Sequence, residues 1–150
     1  MDEKPSTALR SGKKSSMWSS LYSLAKGDAN IALSGGNTGA LMAMSMMQLR
    51  KAPGINRPAI AILWPSTNHR GFNIVLDAGA DVKADSGDLL QYALMGATYA
   101  KTGFSIKMPR IGLLNVGTEI HKGRNELYDA SLLIKEAEKN TKSFKFLGYV

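Results

Sequence analysis

Short apolar runs alternate with stretches of helical spacing along most of this 150-residue chain, and that alternation restricts the fold more than any other feature. Ile31-Ala32-Leu33 reads as a strand over 30–34, and Ser34-Gly35-Gly36-Asn37-Thr38-Gly39 follows as a tight turn. A helix from about 38 to 51 comes next, closed by Pro53-Gly54. Before that strand, Ser15 and Ser16 are placed to cap a helix through Met17, Trp18, Leu21, Tyr22, Leu24 and Ala25 that ends at Gly27. Strands at 59–64 and 72–77 flank "STNHRG", a loop short enough for a hairpin. A helix opened by Ser86 and closed by Gly103 sets Leu89, Leu90, Ala93, Leu94, Ala97 and Ala100 at helical spacing. Residues 110–116 read as a strand too continuous to face water on either side. The helix of 125–139 turns Leu127, Leu132, Leu133 and Ile134 inward and Lys135, Glu136, Glu138 and Lys139 outward; "FKFLGYV" supplies the last strand.

This order predicts an α/β fold with a largely parallel sheet covered on both faces, and ligands in such folds bind beyond the carboxyl ends of the strands. Three loops leave strands there: Ser34 to Gly39, Asp77 to Asp81, and Asn115 to Gly123. One crevice lined by all three is expected, with Asp77, Gly79, Asn115, Gly117 and Thr118 as possible site-loop residues. The first loop is the most informative. The first turn of a helix has unsatisfied N–H donors and the positive end of its dipole, and glycines let an anion approach them. Ser34, Gly36, Asn37, Thr38 and Gly39 are therefore the candidate phosphate-binding residues.

Composition narrows the chemistry. The absence of cysteine excludes disulfides, thiolate metal sites and a cysteine nucleophile. A formal charge of +7 favours acidic partners: phosphates, nucleic acid, an anionic membrane surface or an acidic protein. No run approaches the ~18 apolar residues of a membrane span, and "MDEKPSTALRSGKK" lacks the apolar core of a signal peptide. His69 and His121 read as surface loop residues, since no carboxylate or second histidine stands at ligand spacing, so no metal is expected. Met42, Met44, Met46 and Met47 cover more than one helix face, which reads as core packing before an acyl-chain lining.

In order along the chain, "SGGNTGALMA", "GINRPAIAILWP", "VLDAGADV", "LLQYALMGATYA" and "PRIGLLNVGTEIHKGRNEL" resemble the bacterial phosphate acyltransferase family of phospholipid synthesis, the PlsX proteins. The resemblance covers nearly the whole chain. It implies a Rossmann-like three-layer α/β/α fold with a mostly parallel sheet, related to isopropylmalate dehydrogenases. The implied reaction transfers a fatty acyl group from acyl carrier protein to inorganic phosphate, with no cofactor. It further implies a cytoplasmic homodimer, peripheral membrane association, a link to glycerol-3-phosphate acyltransferase and no nucleic-acid partner. Lys122 matches the lysine of the family's "KGNEL" motif and becomes the candidate catalytic residue, for oxyanion stabilisation or carrier contact. The family's first strand with "AMGGD" and its later "DGFTGN" loop have no counterpart, so the chain reads as the central part of one longer acyltransferase domain. Departures from the pattern are Gly35 for alanine, Asn56 for aspartate, Asp81 for the asparagine of "GAN", and Arg124, which interrupts "KGNEL".

Two other function classes compete. One is another enzyme of the related fold, a phosphate acetyltransferase or a nicotinamide dehydrogenase; no G-x-G-x-x-G follows a strand with an acidic residue about twenty positions on, which weighs against the latter. The other is a non-catalytic basic module for phosphate or nucleic acid, prompted by charge alone.

Overall fold

A computed structural model describes residues 12–78, 84–117 and 123–150. The chain divides into two compact units, Met1–Pro58 and Ala59–Val150.

In the first unit a single 3-10 turn, Gly12–Lys14, leads into α1, Ser16–Lys26. Ser15 is the N-cap: its Oγ accepts from Trp18 N at 3.2 Å and donates to Gly12 O at 2.6 Å, so one hydroxyl ties the turn to the helix. Gly27, at φ 82°, ends α1 in the left-handed region. Its N–H reaches Leu24 O and that of Asp28 reaches Ser23 O, a paired closure of orphan carbonyls that needs a residue without Cβ. The second helix, α2, is Thr38–Leu49 with Asn37 as N-cap, whose Oδ1 accepts from Ala40 N at 3.0 Å. Ala40 and Met44, one helical turn apart, are its buried residues, and Leu21 is that of α1. Of the methionines assigned to the core, Met44 is buried while Met46 and Met47 are exposed.

Residues 31–35 are not a strand. Nothing among the described residues forms a ladder with them, and Ile31 and Leu33 stay 75% and 86% exposed. An apolar run is a strand only when a neighbour satisfies its backbone.

The second unit opens with the expected hairpin: β1, Ala61–Pro65, pairs antiparallel with β2, Phe72–Leu76, in the register Ala61↔Leu76 to Pro65↔Phe72. Asn68 organises the loop, donating to Phe72 O and accepting from Arg70 N, each at 2.8 Å. The long helix α3, Ser86–Phe104, starts at Asp85, which accepts from Asp88 N at 2.8 Å, and ends at Ser105 in the left-handed region at φ 54°. Gly103, expected to close it, lies inside the last turn.

A parallel pair follows: β3, Arg110–Leu113, and β4, Lys145–Tyr149, joined through α4, Asn125–Thr141. The core of this unit is Ala93 and Ala97 of α3, Leu113, Ala130 and Ile134 of α4, Phe144 and Phe146. A register slip between Ile111 and Gly112 brings Val150 over Gly112, where an added Cβ would stand 2.7 Å from a valine methyl. Two further expectations change. β3 stops at Leu113, leaving Leu114 and Val116 exposed, and Leu132 of α4 points outward because the i, i+4 pair Ala130 and Ile134 defines the buried stripe.

Candidate functional site

The glycine turn of the first unit forms one wall of a cavity of about 500 Å³. Leu33, Ser34, Gly35, Gly36 and Asn37 lead into α2, which adds Ala40 and Met44; the opposite wall is Gly12, Ser15, Ser16, Met17 and Ser20, from the start of α1. The cavity thus lies between two helix N-termini, each with donors turned away from its own helix body. The floor is tight: a Cβ on Gly36 would stand 2.6 Å from Met17 Cε, and one on Gly12 would stand 2.5 Å from Met44 Cε.

Some of the turn's amides are engaged locally. Gly36 N donates to Ser34 Oγ at 3.2 Å, Ala40 N to Asn37 Oδ1 at 3.0 Å, and Leu41 N to Asn37 O at 2.9 Å. The amides of Thr38 and Gly39 make no hydrogen bond to a described residue. They are the orphan donors of this N-terminus, and an oxyanion is a suitable acceptor for them. Of the sequence-derived phosphate residues, Ser34, Gly36 and Asn37 line the cavity, whereas Thr38 and Gly39 belong to the same turn but do not line it. Ser16 and Ser20 were missed by sequence reasoning. They sit one helical turn apart, and Ser20 Oγ donates back to Ser16 O at 2.9 Å.

The other candidates belong to the second unit. Asp77 follows β2 directly, at φ 62°, with its N–H donating to Ile60 O at 2.8 Å. Asn115 donates its N–H to Val150 O at 3.2 Å, and its carboxamide abuts Gly123, where a Cβ would collide with it. Gly123 has φ 101°, so both backbone conformation and space favour glycine there. Gly117 is half-buried in the same loop. Gly79, Thr118 and Lys122 lie outside the described residues, as do Asp81 and His121. His69 is exposed in the hairpin loop. Among the described residues no group of three His, Cys, Asp or Glu side chains is placed to hold a metal ion, and no helix is long and apolar enough to cross a membrane.

Comparison with known proteins gives this geometry its context. In fold, the chain is similar to EutD phosphotransacetylase from Staphylococcus aureus: TM-score 0.62 and 17% identity, covering 97% of this chain and 48% of the other. That likeness bears out the α/β fold class. In sequence it is similar over its full length to phosphate acyltransferases of Roseobacter denitrificans (58% identical), Paracoccus denitrificans (59%) and Jannaschia sp. (60%). The chain spans about two fifths of their length: 42%, 40% and 41% respectively. The family model described as fatty acid synthesis protein matches residues 1–150, and the chain therefore belongs to that family.

Proposed function

We propose that this chain is the central part of an α/β acyltransferase domain that moves a fatty acyl group from the thioester of acyl carrier protein to inorganic phosphate, yielding acyl phosphate and the free carrier thiol. The observation that carries the reading is the start of α2, where the amides of Thr38 and Gly39 make no hydrogen bond to a described residue, beside a cavity edged by Ser34, Gly36 and Asn37. Backbone donors and the Ser34 hydroxyl suit a small oxyanion, and holding it in place lowers the entropic part of the barrier to its attack.

In the proposed reaction a phosphate oxygen attacks the thioester carbonyl, a C–O bond forms, the C–S bond breaks, and the leaving thiolate takes up a proton. Negative charge grows on the carbonyl oxygen during the attack, and a cation or N–H donor near it stabilises that charge. Lys122 is assigned this role, with contact to the carrier as its alternative. The relatives' printed name, phosphate acyltransferase, supports the reaction class. The +7 balance suits an acidic carrier protein. Homodimer formation, peripheral membrane contact, a cytoplasmic location and delivery of product to a glycerol-3-phosphate acyltransferase complete the proposal, without a cofactor or nucleic acid.

The test is acyl phosphate formation from a long-chain acyl carrier protein and phosphate, catalysed by the longest translated frame containing these residues. Turnover should depend on phosphate and fall about a hundredfold in Lys122→Ala, the order expected when one charge-stabilising donor is removed. Unchanged turnover in that variant removes Lys122 from the site. Acetyl transfer preferred over long-chain transfer would favour a phosphate acetyltransferase, which at present has only the fold in its support.

A further inference from the structure

Two methionines cross between the helices of the first unit and form the floor of its cavity. Met17, near the start of α1, lays its Cε over Gly36 in the turn that enters α2; Met44 of α2 lays its own over Gly12 in the turn that enters α1. Each glycine leaves the room that a thioether methyl fills, since a Cβ there would stand 2.6 Å from Met17 Cε and 2.5 Å from Met44 Cε respectively. The two side chains are not equivalent. Met44 is 2% exposed and fixed by packing, whereas Met17 is half-buried, an unbranched side chain that can adapt its shape on the cavity side. The lining is divided as well: serines, glycines and Asn37 offer polar groups, while Met17, Met44, Leu33 and Ala40 offer hydrocarbon and sulfur. A small tetrahedral oxyanion fills only part of about 500 Å³, a volume that suits a larger molecule. In the reaction proposed above, phosphate must come within about 3–3.5 Å of the thioester carbonyl carbon, so the first carbons of the acyl group share the cavity with it.

We infer that Met17 is a specificity-determining residue: the reach of its thioether over Gly36 sets the width left to the acyl group beside the bound phosphate, and so selects straight acyl chains over chains branched near the carbonyl. The inference deepens the functional reading above and rests on it. A methyl branch on the acyl group needs space where Met17 Cε stands, and one methylene more or less in an apolar pocket changes discrimination by about 10–200-fold. Met17 acts by shape alone, because its thioether meets the hydrocarbon of the substrate and takes no part in the bonds that form and break. Met44, held in the core of the unit, sets the fixed side of the same slot.

The experiment uses the same long frame and two acyl carrier protein thioesters, dodecanoyl and a dodecanoyl with a methyl branch close to the carbonyl. The readout is the ratio of kcat/KM for the branched over the straight substrate, in which a general loss of folded or active protein cancels. Met17→Ala should raise that ratio about tenfold or more, and Met17→Leu, closer in volume, should keep most of the parent's discrimination. An unchanged ratio in Met17→Ala overturns the inference. So does an equal rise in Met46→Ala, a methionine of α2 that is 37% exposed and does not line the cavity. The arm independent of turnover uses the parent protein with isotope-labelled methionine methyl groups, the Met17 resonance being identified by its loss in Met17→Leu. Dodecanoyl methylphosphonate, a stable acyl phosphate analogue with a methylene in place of the bridging oxygen, should shift that resonance more at saturation than methylphosphonate does; equal shifts overturn the inference. A parent protein that makes acyl phosphate from neither thioester would overturn the functional reading, while the resonance would still decide whether Met17 meets a bound alkyl chain.

Discussion

The two units differ in what they do with apolar surface. In the first, Leu21, Ala40 and Met44 are the buried hydrophobics among the described residues, and serines, glycines and an asparagine rim a cavity between α1 and α2. The second closes its helices and its parallel strand pair over Ile134, Phe144, Phe146 and their neighbours. A chain that leaves room between two helix N-termini gives up packing there, and the space is polar where donors are orphaned. Among the described residues the larger buried cluster is therefore in the second unit, and the phosphate recognition proposed above falls to the first.

The sharpest way to break that contrast is truncation of one buried residue in each unit. Phe144→Ala should cost about 3–5 kcal/mol, while Met44→Ala, whose side chain already borders open space, should fall near the low end of about 2–5 kcal/mol. Trp18 and Trp64 place one fluorescent reporter in each unit, so denaturant titration of the variants in Trp18→Phe and Trp64→Phe backgrounds separates the two losses. Equal costs would mean that the first unit is packed as tightly as the second.

A smaller effect is expected from adding a methyl group at glycine. Gly112→Ala drives a Cβ against both methyls of Val150, at 2.7 and 2.8 Å, a branched side chain with little freedom. The cost should be about 1–3 kcal/mol. Gly36→Ala meets the far end of flexible Met17, at 2.6 Å, which can swing aside; stability should change by less than about 1 kcal/mol. The displaced methionine would enter the cavity, so the KM for phosphate should rise. A Gly36→Ala variant that unfolds as readily as Gly112→Ala would place a real core beneath the turn.

The same contrast explains how far the sequence could be read. Helix ends carried by local chemistry were legible: Ser15 and Gly27 on α1, Asn37 at the start of α2, and the hairpin around "STNHRG". Elements that depend on a distant partner were not. Ile31-Ala32-Leu33 has strand composition but no ladder among the described residues, and Leu114 and Val116 continue an apolar run past the point where β3 stops pairing. Leu132 was misplaced because adjacent leucines fit more than one helix face, and only packing of Ala130 and Ile134 selects the buried one. Of the cavity-lining residues, Ser34, Gly36 and Asn37 were nameable from the sequence because a glycine turn entering a helix leaves backbone donors exposed. Ser16 and Ser20 were not, since serines on an amphipathic helix look like an ordinary solvated face.

The smallest expected change in stability is the most informative about function, because Asn37 both caps α2 and lines the cavity. Its Oδ1 caps α2 through Ala40 N, and the residue also lines the cavity. Asn37→Ala removes the cap and should cost about 1 kcal/mol in the first unit. Asn37→Asp keeps an equivalent acceptor and complements the helix dipole, so stability should hold within a few tenths of a kcal/mol. The new carboxylate would nonetheless repel phosphate at the place where the amides of Thr38 and Gly39 would receive it. Phosphate affinity, measured by the KM of the acyl transfer, should therefore fall more in Asn37→Asp than in Asn37→Ala, the reverse of their order in stability. If the two orders agree instead, the turn is a helix cap and the anion is bound elsewhere.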